Sequence, residues 1–92
     1  MIEIMQEIST REKCKIMSHI ERKCEATLKA ETKYEEEVYK DIYNQALREA
    51  GAYSLDSIDV CFLFAVHDAI DCYQLPQALE QKIMHERKEE GE

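Results

Sequence analysis

Apolar residues recur every fourth position through the first half of this chain. They fall at Ile16, Ile20, Cys24 and Leu28, with Met17 beside them, and again at Tyr34, Val38, Ile42, Ala46 and Ala50. Steps of four keep side chains on one face of an α-helix, so each series reads as a buried stripe. Sheets need turns, and turns draw on Gly and Pro, yet the 92 residues hold only 2 Gly and 1 Pro. The chain is therefore expected to be all-α, a single domain over 1–92 built as a small bundle of three to five helices.

Local signals place the helix ends. Ser9 with Glu12, and Thr32 with Glu35, stand at capping-box spacing, in which the hydroxyl accepts an amide hydrogen near the acidic residue. Glu35, Glu36 and Glu37 then fall at a helix N-terminus, where the helix dipole favours negative charge. A straight helix from Thr10 to Ala50 would be about 60 Å long. That is twice the diameter of about 30 Å expected for a compact chain of this size. The expectation is a break near Glu31–Lys33. The alternative is one long helix whose stripe is covered by a second copy in a helical homodimer.

Gly51 is placed to end the second stripe, as Gly does past a helix C-terminus. Ser54 or Asp56 can start the next helix, which reads as the central one, Ile58 to Tyr73. Pro76 suits the first turn of a last helix, where its missing N–H costs nothing. Leu79, Ile83 and Met84 give that helix an apolar side. Residues 1–8 read as an arm or short helix, and 86–92 as a charged, frayed tail.

The run "FLFAVHDAID", Phe62 to Asp71, carries the most chemistry. On a wheel that starts at Ile58 the apolar residues cover about 200°, wider than the stripe of a surface helix. Cys61 and Cys72 extend that arc. His67, Asp68 and Asp71 gather on the remainder with Val60 and Phe64. His67 and Asp71 are i, i+4 neighbours and can pair locally. The reading is a solvated polar edge. Beside it stand a recognition patch, with Phe64 and Val60 as apolar centre and the polar groups as rim, and, ranked below both, a metal-binding or hydrolytic centre on His67 and Asp71.

Other constellations are weaker. Zinc sites use closely spaced Cys or His pairs. None of the four cysteines has such a neighbour, so the thiols read as core residues. His67-Asp68 alone does not make the metal site of an HD-type phosphohydrolase, which needs further His and Asp ligands, and His19 and His85 read as exposed. No glycine-rich phosphate loop is present. No catalytic residue, cofactor or metal is therefore assigned. Tyr39 and Tyr43 flank the second stripe, where a ring with a polar tip suits a core edge or an interface.

The formal charge is −8, from 20 acidic and 12 basic side chains. This argues against direct binding to nucleic-acid backbone or to anionic lipid. It favours a protein partner with a basic surface. The absence of an export signal in Met1–Ile8, together with four cysteines, points to reduced thiols in a cytoplasm. No apolar run reaches the roughly 20 residues of a membrane span. The functional expectation is a non-enzymatic, acidic protein-interaction module, a small regulator or inhibitor; a sharper form is an inhibitor that mimics nucleic-acid charge, as in small phage anti-defence proteins. The candidate interaction residues are Phe64, Val60, His67, Asp68, Asp71, Tyr39, Tyr43, Glu35, Glu36 and Glu37.

Overall fold

The structure, a computed structural model, describes residues 7–29 and 31–90. It is an all-α bundle of four helices: α1 Thr10–Leu28, α2 Glu35–Glu49, α3 Leu63–Asp71 and α4 Gln77–Glu90. Single 3₁₀ turns at Leu55–Ser57 and Val60–Phe62 lead into α3. The described part of the N-terminal arm is extended: Glu7 forms an isolated antiparallel bridge with Asp59, and Ile8 is buried. The arm's Met1–Gln6 and the tail's Gly91 and Glu92 lie outside the described residues.

α1 starts as its spacing predicts. Ser9 is the N-cap, and its hydroxyl accepts the Glu12 amide at 3.2 Å. Glu12 turns instead toward Lys15, at 3.4 Å. The stripe Ile16, Ile20, Cys24 and Leu28 is buried along its whole length. The helix stops at Lys29, which takes a left-handed conformation (φ 63°) and donates its amide to the Glu25 carbonyl at 2.8 Å. The continuous helix is thereby excluded.

α2 returns along α1 and buries Val38, Ile42, Ala46 and Leu47. Tyr34, Tyr39 and Tyr43 pack half-buried at the edge of the core. Thr32 is not the cap expected of it: Tyr34 occupies the N-cap. The Thr32 hydroxyl accepts from the Tyr34 amide and donates to Glu86 at 2.6 Å. A carboxylate reaching in from α4 has displaced the local capping pattern.

α3 is shorter than the segment Ile58 to Tyr73. Ile58 is buried, but in extended backbone (φ −78°, ψ 127°) between the two 3₁₀ turns. The chain runs back up beside α1, with Lys13 paired to Asp56 near one end and Lys23 donating to the Asp71 carbonyl at 2.9 Å near the other. That lysine satisfies a carbonyl at the end of α3 and places positive charge at its negative dipole end. Tyr73 ties α3 to α2: its phenol donates to Asp41 at 2.7 Å. α1, α2 and α3 each contact the other two, so none is central.

α4 docks at the end of this three-helix body rather than along its side. Ile83 is buried, Leu79 packs against the core, and Met84 is exposed. Glu86 accepts from the Thr32 hydroxyl and the Lys33 amide, and Arg87 donates to the Leu28 carbonyl. The charged segment from Glu86 is thus helical to Glu90, where fraying was expected, because these bonds hold it to the α1–α2 turn. Three helices side by side with a fourth at one end make an elongated molecule. Its longest extent is 64 Å and its Cα radius of gyration 15.5 Å, against about 12 Å for a compact chain of this length.

Among the described residues the largest fully buried side chains are Ile16, Ile20, Ile42, Ile58, Ile70, Val38 and Val66. Each contributes about 1.5–3 kcal/mol of transfer free energy. They come from α1, α2, α3 and the segment before α3, which is why those elements form one core.

Candidate functional site

His19 and His67 meet where α1 packs on α3. Their Nδ1 atoms are 2.7 Å apart and the rings stack, with centroids 5.0 Å apart and planes 20° from parallel. His19 Nε2 lies 2.6 Å from Asp71 Oδ1. His19 is therefore not the exposed residue expected from its place beside Lys15 and Arg22; its side chain is 15% exposed. His67 and Asp71 do not pair locally. His19 inserts between them and completes a chain Asp71–His19–His67.

The proton positions follow from donor and acceptor rules. Asp71 accepts from His19 Nε2–H. With His19 neutral, its Nδ1 carries a lone pair, and His67 Nδ1–H must be the donor across the 2.7 Å gap. His67 Nε2 then holds a free lone pair. No buried polar side-chain atom among the described residues lacks a partner, and no protein hydrogen bond reaches Nε2, so this atom faces solvent. Burial holds His67 below its ordinary pKa of 6.5, with the neighbouring His19 as the second cause. Glu12 and Asp71 oppose the shift. The shift favours the neutral ring, with a lone pair on its open edge.

His67 also lines a groove of about 390 Å³ with Arg11, Cys14, Lys15, Ser18 and Arg22. Chemically the arrangement is a base oriented by a second imidazole and a carboxylate. A nucleophilic centre also needs a hydroxyl or thiol hydrogen-bonded to the base, and neither Ser18 nor Cys14 makes that bond with His67. No group of three His, Cys, Asp or Glu able to hold a metal exists among the described residues. The two Nδ1 lone-pair directions face each other and Asp71 is engaged by His19, so the donors point inward to one another.

The remaining candidates lie elsewhere. Phe64 is 83% exposed and Val60 41% exposed, with Phe62 beside them at 44%. Asp68 is exposed and directs Oδ1 toward the Cys72 thiol at 4.0 Å, away from the histidines. Cys14, Cys61 and Cys72 are exposed, and only Cys24 belongs to the core. The placement of Cys61 and Cys72 on the buried arc is corrected. Cys61 lies in a 3₁₀ turn outside the helix, and α3 buries only a narrower arc around Val66 and Ile70.

Glu35, Glu36 and Glu37 are exposed on the first turn of α2, with Glu36 paired to Lys40 at 3.1 Å. Glu35, Glu36 and Tyr39 line a cleft of about 510 Å³ with Glu21, Cys24 and Glu25 of α1 and Thr32 and Lys33 of the connecting turn. The negative potential there raises two pKa values beyond what burial does: Cys24 is pushed up by burial, Glu35 and Glu25, and Tyr39 by burial and Glu21. Glu37 and Tyr43 do not line this cleft. Glu21 and Glu25 were missed at the level of sequence because they become neighbours of Glu35 only when α1 and α2 fold back on each other.

No family model matches this chain, and no curated protein or solved structure matches it. No helix among the described residues is long and apolar enough to cross a membrane.

Proposed function

We propose that this protein is a non-enzymatic interaction module that receives basic side chains of a protein partner in the α1–α2 cleft. The observation that carries this reading is the convergence of Glu21, Glu25, Glu35 and Glu36 around the half-buried ring of Tyr39. An arginine or lysine placed there would meet carboxylates on two walls and an aromatic face between them, which combines ion pairing with cation–π attraction. The formal charge of −8 would steer such a partner to the surface before contact. The exposed Phe64 and Val60, rimmed by Asp68, supply an apolar anchor on a separate face. A basic cleft of a nucleic-acid enzyme is one surface of this chemistry, and occlusion of it would make the protein an inhibitor.

The test is a titration with an arginine- and lysine-rich model peptide, followed by tryptophan fluorescence from the peptide at rising salt. Saturable binding that weakens with ionic strength and is lost in the Glu21→Gln, Glu25→Gln, Glu35→Gln, Glu36→Gln variant supports the reading. Binding that the four changes leave intact, or no binding at low salt, removes it.

A second reading is favoured by one observation. Arg11, Lys15 and Arg22 line one groove with His67, and three cations together suit a small anion.

A further inference from the structure

We infer that the groove between α1 and α3, lined by Arg11, Lys15, Ser18, Arg22 and His67, binds the phosphoryl group of a small phosphorylated molecule. Three features carry this. The first is the helical register. Advancing 100° per residue, Arg11, Lys15, Ser18 and Arg22 fall within an arc of about 60° on α1. They form a cationic strip on a chain whose net charge is −8.

The second is that these cations are not consumed. Among the described residues Arg11 and Arg22 enter no ion pair, and Lys15 reaches Glu12 only at 3.4 Å. Both arginines line the groove, and a guanidinium carries the forked donors that suit phosphate oxygens. Ser18 adds a neutral donor.

The third is His67 itself. A phosphate oxygen at Nε2 requires a proton on that nitrogen. The chain can supply the complementary state: His67 Nδ1 gives its proton to His19 Nδ1, and His67 Nε2 takes one proton from solvent. His19 becomes an imidazolium held by Asp71, and His67 remains a neutral donor toward the ligand. One proton is taken up per phosphoryl group bound, and no bond other than these N–H bonds changes. The charged groups that face His67 in this exchange are His19, Glu12, Asp71 and Lys15, with Arg11 and Arg22 along the groove.

The size of the ligand follows from the field of the whole molecule. At a distance the protein repels anions, and beyond roughly 8 Å in physiological salt the strip is screened. A long polyanion would meet mostly acidic surface on either side. A single phosphoryl group is small enough to be held by the strip alone. This site lies on the α1–α3 side of α1 and the acidic cleft on the α1–α2 side, so failure of either assignment leaves the other standing.

The experiment is an ¹H–¹⁵N titration of the full chain at low ionic strength with inorganic phosphate and, separately, glycerol 3-phosphate, with sodium chloride matched in ionic strength as control. Saturable shifts confined to residues around Arg11, Ser18, Arg22 and His67 are expected with phosphate or the ester and not with chloride. Saturation by the ester at lower concentration identifies a phosphorylated small molecule as the ligand, and equal saturation identifies free phosphate. Arg11→Ala with Arg22→Ala should weaken binding at least about tenfold, the scale of one lost charge-assisted contact. Circular dichroism would report whether the exposed double variant keeps its fold. Calorimetry in buffers of different ionisation enthalpy should show uptake of one proton in the wild type and none in His67→Asn. Shifts that do not saturate, that follow chloride, or that persist in the double variant overturn the site, and capture of an acidic peptide in place of both phosphates does so as well.

Discussion

The Nδ1 atoms of His19 and His67 share one proton across 2.7 Å, although 48 residues separate them in the chain. Only one of the two nitrogens can carry a hydrogen. A first protonation of the pair is accommodated, because His19 can donate to both Asp71 and His67. A second would set two N–H groups against each other and open the contact.

His67 should therefore titrate below its ordinary value of 6.5. Its folded pKa is depressed, so the unfolded chain binds the proton more readily. The stability His67 contributes is present above pH 6.5 and is lost as pH falls through the depressed folded value. Thermal melts from pH 8 to pH 5 should show this loss. In His67→Gln the slope over that window should flatten, and in His19→Ala an NMR titration should find His67 moved part of the way back toward 6.5, burial being left in place.

Glu86, on α4, is buried and accepts from the Thr32 hydroxyl, which is the main cause of its lowered pKa, and from the Lys33 amide. The contribution of a depressed carboxyl is present above its ordinary value of 4.5 and disappears as pH falls through the folded value. Glu86→Gln should remove that acid dependence and loosen α4 before the bundle. Faster hydrogen exchange at Ile83–Arg87 than at Ile16–Ile20 would register the loosening.

Tyr73 is buried and donates to Asp41, so its hydroxyl should resist ionisation well above the ordinary value of 10. Stability should fall as pH rises through 10, because the unfolded chain releases this proton first. Tyr73→Phe should abolish that alkaline loss and cost about 1–2 kcal/mol near neutrality through the lost hydrogen bond. Ultraviolet difference titration at 295 nm and urea denaturation measure the two effects.

Ile42→Ala and Ile16→Ala should each cost about 2–5 kcal/mol, since both side chains are fully buried and leave a cavity. Phe64→Ala, equally apolar in sequence but 83% exposed, should stay within about 0.5 kcal/mol. Urea midpoints of the three variants decide it.

Lys29 ends α1 in the left-handed region at φ 63°. Lys29→Gly should raise stability by about 0.5–1 kcal/mol, the steric cost of a side chain there exceeding the extra entropy of glycine. Ser9→Ala, at the other end of the same helix, should lower it by about 1 kcal/mol. A matched pair of thermal melts suffices.

What can be read from the residues alone is what depends on near neighbours. The stripes of α1 and α2 and the Ser9 cap are set by side chains within one or two helical turns, so their period and spacing are visible before folding, whereas the break was expected near Glu31–Lys33 from the size of the domain and falls at Lys29. The outward placement of Phe64 and Asp68 is legible in the same way, since both lie on α3 away from its buried residues Val66 and Ile70, whereas Val60 is exposed from a 3₁₀ turn that the helical wheel does not describe.

What packing alone decides is the rotation and phase of each element. The wheel drawn from Ile58 assumes an unbroken α-helix, but the backbone at Ile58 is extended and the next residues turn in 3₁₀ geometry. Each 3₁₀ residue advances about 120° rather than 100°, so Cys61 leaves the arc assigned to it. His19 stands only about 60° around α1 from Ile16, on the border between core and solvent. α3 packs against that border, which turns an outward histidine into the middle of a hydrogen-bonded chain. Local free energy fixes which face of a helix is apolar, whereas the polar residues at its margin take their partners from whichever helix comes to lie against them.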